Sequence, residues 1–274
     1  MKKLLLLLFL VGFLSVQAQQ QYGLEKNIHY YPDSICKSDA YINTQCTLDL
    51  YYPKDVKNYS TIIWFHGGGL TGGVKEIPQA LMDKGYAVVG IEYRLSPKVK
   101  APAYIDDAAA AVAWVFEHIG NYGGSDKRIF VSGHSAGGYL GMIITLDKAY
   151  LAKYNIDANN IAALIPFSGQ AITHYTIRQE RGMKATQPVI DEYAPLYYVR
   201  ADAPPMLLIT GDPEMELLGR YEENAYLWRM MKLAGHKRTT LYKLEGFDHG
   251  GMPVPAFPLL LKEVASVTKE IKEK

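Results

Sequence analysis

Short apolar runs and helical patterns alternate along most of the chain. Runs that are apolar on both faces are typical of buried parallel strands, and strict alternation is typical of a half-buried strand. These patterns predict strands at residues 47–52, 61–65, 87–92, 128–132, 162–167, 206–210 and 239–244. Apolar residues at helical spacing predict helices at 106–119, 136–151, 221–233 and 257–271. The alternation indicates an α/β fold with a mostly parallel central sheet flanked by helices.

Residues 173–200 interrupt this alternation with a polar stretch that has no clean period. An insertion that follows a strand of such a sheet lies over the carboxyl ends of the strands, where ligands bind. We therefore predict a small lid-like insertion that faces the substrate. Its tyrosines, Tyr175, Tyr193 and Tyr197, fit two roles equally well: stacking on a sugar or phenolic ring, or packing in the interior.

The first residues follow the pattern of a secretory signal peptide. Lys2 and Lys3 precede an apolar run at 4–14, and small or tolerated residues follow at 16–18. The run is shorter than the roughly 20 residues of a spanning helix, so an uncleaved anchor is disfavoured. We predict cleavage near Ala18, export to the periplasm or medium, and one domain at 19–274.

Composition excludes several classes of protein. Hydrophobic residues make up 49% of the 274 residues, which is enough for a sizeable core. The net charge is +1 and no Lys/Arg cluster stands out, so nucleic acid and acidic membranes are disfavoured as partners. No later segment is apolar enough for a membrane span. Export would permit a disulfide between Cys36 and Cys46, but two buried thiols are equally compatible with the sequence.

The strongest local motif is Gly-His-Ser-Ala-Gly at 133–137. It follows the predicted strand at 128–132 and opens a predicted helix, the context of a nucleophile elbow rather than of an ordinary glycine turn. The turn exposes the hydroxyl of Ser135 above the sheet and places the N–H of Ala136 at a helix N-terminus. We predict Ser135 as a catalytic nucleophile.

A serine hydroxyl needs a base within hydrogen-bond reach, and in this type of fold the chain order is serine, acid, histidine. His249 lies in a loop between the last predicted strand and the last helix, so it is the predicted base. The acid should follow the strand at 206–210. We favour Glu214, which lies three residues past the strand-end glycine, where the acid usually falls in such folds, and Asp212 is the alternative. Glu216 has a structural explanation as an acidic residue in the first turn of a helix.

The sequence His-Gly-Gly-Gly at 66–69 directly follows the predicted strand at 61–65. Acyl transfer builds negative charge on a carbonyl oxygen, and glycine N–H groups can approach that oxygen closely. We predict oxyanion donors at Gly67, Gly68 and Ala136. A phosphate loop is excluded because the string lacks the Lys-Ser/Thr ending.

Three other polar residues are expected to have structural roles instead. The ring of His66 is expected to brace the glycine loop. Asp106 and Asp107 are expected to cap the helix that they open.

These motifs, with Tyr-Arg-Leu-Ser-Pro at 93–97 and Asp-His at 248–249, resemble the hormone-sensitive-lipase branch of the α/β-hydrolases. The resemblance runs from about residue 47 to the last helix and implies an α/β-hydrolase fold. The branch includes small carboxylesterases, feruloyl and acetylxylan esterases, and kynurenine-formamidase-like amidases. It usually has Asp at the position of Glu214, a point where this chain departs from the pattern.

The resemblance implies a serine carboxylesterase that forms an acyl-enzyme and needs no metal or organic cofactor. Its expected substrates are short-chain or carbohydrate-linked esters, with an acetyl or feruloyl group. Two alternatives stay open at this point. One is a kynurenine-formamidase-like amidase that uses the same groups, and the other is a non-catalytic binding protein on a hydrolase scaffold.

Overall fold

The computed structural model describes residues 20–273. Their strands form one eight-stranded sheet in the order β1-β2-β4-β3-β5-β6-β7-β8. Only β2 runs antiparallel to its neighbours, and the other pairs are parallel. The strands are β1 (Tyr22–His29), β2 (Thr47–Pro53), β3 (Tyr59–Phe65), β4 (Ala87–Ile91), β5 (Gly124–His134), β6 (Ala163–Phe167), β7 (Met206–Thr210) and β8 (Thr239–Lys243). The prediction of a mostly parallel sheet is confirmed, while the predicted signal peptide lies outside the described residues.

Helices cover both faces of this sheet. They are α1 (Asp33–Ser38), α2 (Ala40–Gln45), α3 (Ala103–Tyr122), α4 (Ala136–Leu146), α5 (Lys148–Ala152), α6 (Tyr175–Glu180), α7 (Arg220–Leu233) and α8 (Pro253–Lys272). Buried side chains of α3, α4 and α7 join one apolar cluster, and those of α8 join the other. Because β3, β4, β6 and β7 are buried along their whole length, they read as continuous apolar runs in the sequence.

Every predicted strand is present, but two features of the helical and strand pattern differ. The predicted helix at 136–151 is two helices, because Asp147 takes an extended backbone and its side chain accepts from the N–H of Ala149. The side chain therefore starts a new helix at that point. Strand β1 was not predicted, since it lies at the sheet edge and most of its residues are exposed.

The expected capping role of Asp106 and Asp107 is wrong. Helix α3 begins at Ala103, so both residues lie inside it. The carboxylate of Asp107 is fully buried and accepts from Nε and Nη2 of Arg94 at 2.8 and 2.7 Å. Asp106 instead pairs with Lys153, with Nζ and Oδ1 2.6 Å apart. Arg94 belongs to the motif at 93–97, so this buried ion pair ties that motif to α3.

Cys36 and Cys46 are free thiols, and both are buried. The disulfide alternative is therefore not realised. In the part of the chain from residue 20 to 273, no helix combines the length and apolar character that crossing a membrane requires.

Candidate active site

Four chain segments meet at the carboxyl edge of the parallel strands. They are the glycine loop after β3, Ser135 after β5, residues 211–219 after β7 and residues 244–252 after β8. In open α/β sheets this edge is where ligands bind. The sheet order places β3 and β5 side by side, so the glycine loop and Ser135 lie next to each other.

Ser135 occupies a strained turn between β5 and α4. Its backbone has φ 55° and ψ −113°, a conformation that non-glycine residues rarely adopt. Its N–H donates to the carbonyl oxygen of Phe167 on β6 at 2.8 Å, which fixes the turn. A Cβ on Gly137 would overlap the carbonyl oxygen of Phe65, and one on Gly133 would meet the same oxygen at 2.7 Å. The two glycines of the motif are therefore required by close packing of β5 and α4 against β3.

His249 is held by a buried carboxylate, and that carboxylate belongs to Glu216. Nδ1 of His249 lies 2.7 Å from Oε2 of Glu216, and the two side chains are 13% and 1% exposed. Because a carboxylate only accepts, Nδ1 carries the hydrogen and Nε2 is left as the basic nitrogen. The hydroxyl of Ser168 and the N–H of Gly211, the latter at 2.8 Å, donate to the other oxygen of Glu216.

The prediction of Glu214 as the partner of His249, with Asp212 as the alternative, is corrected by this geometry. Helix α7 begins at Arg220, so Glu216 lies in the preceding loop and is not part of a helical first turn. Asp212 accepts from the N–H of Glu214 at 3.1 Å and of Gly246 at 2.8 Å. Those bonds form a tight turn that leaves Glu214 exposed and points Glu216 inward.

The surroundings of Glu216 keep its carboxyl ionised. Burial alone would raise the pKa of this group, but the hydrogen bonds from His249, Ser168 and Gly211 outweigh it. The result is a pKa lowered to about 2. The carboxylate is thus negatively charged at any ordinary pH and stabilises positive charge on His249.

His134, the residue before Ser135, contacts His249 through a hydrogen bond and through its ring. Nε2 of His134 lies 2.9 Å from the carbonyl oxygen of His249, and the two rings are 4.7 Å apart. A carbonyl oxygen only accepts, so Nε2 is the donor. Burial, together with repulsion from His249, lowers the pKa of His134 to about 4. His134 is therefore neutral at neutral pH and adds no charge next to His249.

Three backbone N–H groups close to Ser135 in the chain or in the fold have no hydrogen-bond acceptor among residues 20–273. A Cβ on Gly67 would lie 3.6 Å from Cβ of Ser135, so the glycine loop passes directly beside the serine. Gly68 has φ 109°, and its carbonyl oxygen accepts from the N–H of Gly72 at 3.0 Å in a tight turn. The N–H groups of Gly67, Gly68 and Ala136 donate to no other residue in the described part of the chain. They are available to a ligand at this point.

The predicted bracing role of His66 is confirmed. Its Nδ1 donates to the carbonyl oxygen of Gly67 at 2.6 Å, and its Nε2 lies 3.0 Å from Oε1 of Glu92. The ring stacks on Tyr93 with centroids 4.3 Å apart, and the hydroxyl of Tyr93 donates to the carbonyl oxygen of His66. These contacts fix the direction of the peptide groups that follow.

The lid-like insertion contacts the far end of the glycine loop. The hydroxyl of Thr176 donates to the carbonyl oxygen of Gly69 at 2.5 Å, and a Cβ on Gly69 would overlap the hydroxyl of Tyr175. Tyr193 packs under the guanidinium of Arg181, whereas Tyr197 is 61% exposed. Of the three tyrosines, Tyr175 is the one beside the site.

Two residues of the site were missed in the sequence. Ser168 donates to Glu216, and its carbonyl oxygen accepts from the buried Arg220. Its position directly after the strand β6 was the available signal. His134 was visible inside the elbow motif, but only the structure reveals its contact with His249.

The fold and this arrangement define a protein of the esterase branch of the α/β-hydrolases. The BD-FAE family model matches residues 48–217. The chain belongs to the BD-FAE family, and His249 lies beyond the matched segment.

Curated relatives carry ester-hydrolase names. The probable carboxylic ester hydrolase LipM of Mycobacterium tuberculosis is 28% identical over 169 residues, which are 53% of this chain and 39% of the relative. Carboxylesterase NlhH of the same species is 34% identical over 108 residues, or 37% of this chain and 34% of the relative. The chain thus matches well under half the length of these relatives.

Solved structures share the fold over most of the chain. A truncated carbohydrate esterase from gut microbiota has a TM-score of 0.73 at 20% identity, covering 92% of this chain and 98% of its own. The native form of Est2, an esterase of Thermogutta terrifontis, has a TM-score of 0.63 at 26% identity, covering 80% and 86%. The first of these likenesses concerns the fold alone.

Proposed function

We propose that this protein hydrolyses carboxylic esters through an acyl-enzyme on Ser135. The observation that carries the proposal is the buried hydrogen bond from Nδ1 of His249 to Glu216. This bond fixes the tautomer of His249 in which Nε2 can accept a proton. The loop that carries His249 also contacts His134, the residue before Ser135. Glu216 orients the ring and stabilises the imidazolium that forms.

In the first half-reaction, His249 removes the hydroxyl proton of Ser135 while the oxygen attacks the ester carbonyl carbon. The carbonyl oxygen becomes negative and is stabilised by the N–H groups of Gly67, Gly68 and Ala136. His249 then gives its proton to the alcohol oxygen as the bond between carbonyl carbon and alcohol oxygen breaks. The alcohol leaves, and the acyl group remains on Ser135.

In the second half-reaction, water attacks the acyl-enzyme in the place of the alcohol, and the same steps run in reverse. His249 removes a proton from the water, and the resulting hydroxide oxygen bonds to the acyl carbon. The same N–H groups stabilise the negative oxygen. The bond to Ser135 breaks, His249 returns the proton to the serine oxygen, and the carboxylic acid departs.

Short-chain or carbohydrate-linked esters, with an acetyl or feruloyl group, are the substrates that we propose. The names of the relatives support ester hydrolysis in general. The fold likeness to a carbohydrate esterase and the predicted export of the chain support a carbohydrate-linked substrate. A panel of aryl acetates, acetylated xylan and feruloylated oligosaccharides tests this choice. Including an aryl formamide in the panel tests the amidase alternative on the same preparation.

Labelling with a fluorophosphonate probe tests the central step. The wild-type protein should be labelled on one serine and should hydrolyse an aryl acetate. Ser135→Ala should lose both properties, with turnover falling by about 10⁶-fold as in a comparable triad. Labelling that persists in Ser135→Ala would show that the nucleophile lies elsewhere. N-terminal sequencing of protein from the medium or periplasm tests the proposed cleavage near Ala18.

A further inference from the structure

The side chains of His66 and Glu92 form a buried pair beside the glycine loop, and they are 4% and 11% exposed. Nε2 of His66 lies 3.0 Å from Oε1 of Glu92, and Nδ1 lies 2.6 Å from the carbonyl oxygen of Gly67. Both ring nitrogens therefore face an oxygen, although a neutral imidazole carries only one N–H. The remaining contacts of the pair decide where the second hydrogen lies.

The carboxyl group of Glu92 accepts hydrogen bonds on both of its oxygens. Oε2 accepts from the main-chain N–H of Lys75 at 2.9 Å, and Oε1 accepts from Nε2 of Gln45 at 3.1 Å. Hydrogen bonds to an ionised carboxylate are about twice as strong as those to a neutral acceptor. These two donors therefore favour the ionised form of Glu92 and leave the shared hydrogen on Nε2 of His66.

The other ring nitrogen of His66 must also be a donor. The carbonyl oxygen of Gly67 only accepts, so Nδ1 donates to it. The hydroxyl of Tyr93 lies 3.5 Å from Nδ1 but donates to the carbonyl oxygen of His66 at 2.9 Å. Burial and the charge of Glu92 raise the pKa of Tyr93 well above its usual range, so this hydroxyl keeps its hydrogen. With a hydrogen on each nitrogen, the ring of His66 is an imidazolium.

The groups around the ring are compatible with a positive charge on His66. The ring of Tyr93 stacks on it with centroids 4.3 Å apart, and aromatic faces attract cations. The ammonium of Lys75 pairs with Asp49 instead, with Nζ and Oδ1 2.9 Å apart. His134, on the other side of the glycine loop, is neutral at neutral pH. The negative charge of Glu92 is thus left to His66.

The imidazolium acts on the peptide group between Gly67 and Gly68. This group is trans, so its carbonyl and its N–H point in opposite directions. The hydrogen bond from Nδ1 of His66 therefore fixes the direction of the Gly68 N–H, one of the three predicted oxyanion donors. A charged donor on the carbonyl also polarises the peptide group, and consecutive hydrogen bonds strengthen one another.

We propose that His66 is a positively charged positioning residue, which the buried carboxylate of Glu92 keeps protonated and which directs and strengthens the Gly68 N–H toward the negative oxygen formed in acyl transfer. The catalytic part of this inference rests on the proposed ester hydrolysis, whereas the charge of the ring does not. Since each charge of the pair has an opposite partner and further hydrogen bonds, the cost of burying both is offset.

Nitrogen NMR of protein labelled with nitrogen-15 histidine tests the charge directly, at about pH 7 and without a substrate. Both ring nitrogens of His66 should carry a hydrogen. Its signals are those missing from His66→Gln, and also those that change in Glu92→Gln. A wild-type ring with one N–H would overturn the inference.

Glu92→Gln removes the charge and keeps the hydrogen bonds. The amide oxygen of glutamine can accept from the N–H of Lys75, and its NH₂ group can donate to Nε2 of His66. The ring should then be neutral. We expect kcat for an aryl acetate to fall about tenfold, because a charged donor exceeds a neutral one by that order. KM should stay unchanged, since the negative oxygen is absent from the bound substrate.

Glu76→Gln is the matched control. Glu76 is exposed, and its Oε1 accepts from Nε1 of Trp64 at 3.2 Å, a bond that a glutamine oxygen keeps. The state of the His66 ring and kcat should both match the wild type. A neutral ring in Glu92→Gln with wild-type kcat would overturn the catalytic part of the inference. If thermal unfolding shows that Glu92→Gln has lost its fold, the wild-type spectrum still decides the charge of the ring.

These results separate the two proposals. A doubly protonated ring in a protein that hydrolyses no ester and takes no fluorophosphonate label would overturn the proposed function and leave the ion pair intact. An active enzyme whose His66 ring carries one N–H would overturn the ion pair and leave ester hydrolysis intact.

Discussion

The imidazole of His134 donates from Nε2 to the main-chain carbonyl of His249 at 2.9 Å. The residue before the nucleophile thus holds the loop that carries the base. This contact links β5 directly to the segment before α8. Positioning of the base therefore depends on a neutral histidine as well as on Glu216.

Replacing His134 by phenylalanine should keep a ring against His249 and remove the donor. We expect kcat for ethyl acetate to fall about tenfold, which corresponds to the net worth of one hydrogen bond. KM should change little, because the substrate does not bind through this nitrogen. Steady-state kinetics on a variant with an unchanged circular dichroism spectrum measures the effect. An unchanged kcat would show that the hydrogen bond does not position the base.

Glu216→Gln should lower kcat by about 10⁴-fold, as for the acid of comparable triads, because the ring of His249 loses its charged partner. Glu214→Gln is the matched control, since Glu214 is exposed and only two positions away. It should retain wild-type rates. Initial rates with an aryl acetate separate the two variants. A large loss in Glu214→Gln with little loss in Glu216→Gln would restore the original assignment.

Because the pKa of Glu216 is lowered in the folded protein, the free energy of unfolding should depend on pH. The carboxyl has a pKa of about 2 in the folded protein and an ordinary value of 4.5 when free. Its ionised form therefore stabilises the fold above about pH 4.5, and this contribution is lost as the pH falls toward 2. Urea unfolding at pH 6 and pH 3 should show a larger drop for the wild type than for Glu216→Gln. Equal drops in the two proteins would contradict the ionised state of Glu216.

Two glycine-to-alanine changes should have opposite effects. In Gly137→Ala the new methyl group overlaps the backbone of Phe65, so the elbow must distort. We expect a loss of about 3 kcal/mol or more in unfolding free energy, and loss of activity. Gly120 lies in α3 with open space at its Cβ position, so Gly120→Ala should stabilise by up to about 1 kcal/mol. Chemical denaturation of both variants gives the comparison, and a stable, active Gly137→Ala protein would refute the packing argument.

The sheet and the nucleophile were predictable because their sequence signals are local. Buried parallel strands appear as apolar runs, and the elbow at 133–137 needs glycines at fixed positions beside Ser135. His249 followed from chain order. The signal of β1 was absent because an edge strand with exposed residues carries no apolar pattern.

The acid was not predictable from spacing. Three carboxylates lie within 212–216, and which one faces His249 depends on the turn that Asp212 makes with Glu214 and Gly246. Gly246 is distant in the sequence, so no local pattern reports this contact. The start of α7 at Arg220 removed the structural explanation that had set Glu216 aside.

The bond from Gly246 to Asp212 has a further consequence for the loops that carry Glu216 and His249. Three hydrogen bonds join the two loops: Gly246 donates to the carboxylate of Asp212, the N–H of Asp212 donates to the carbonyl oxygen of Phe247, and His249 donates to Glu216. A displacement of either loop therefore moves the other loop with it, so the position of Glu216 relative to His249 is kept. Proton uptake by His249 then needs no reorganisation of the acid, and a ligand that enters finds the base already aligned.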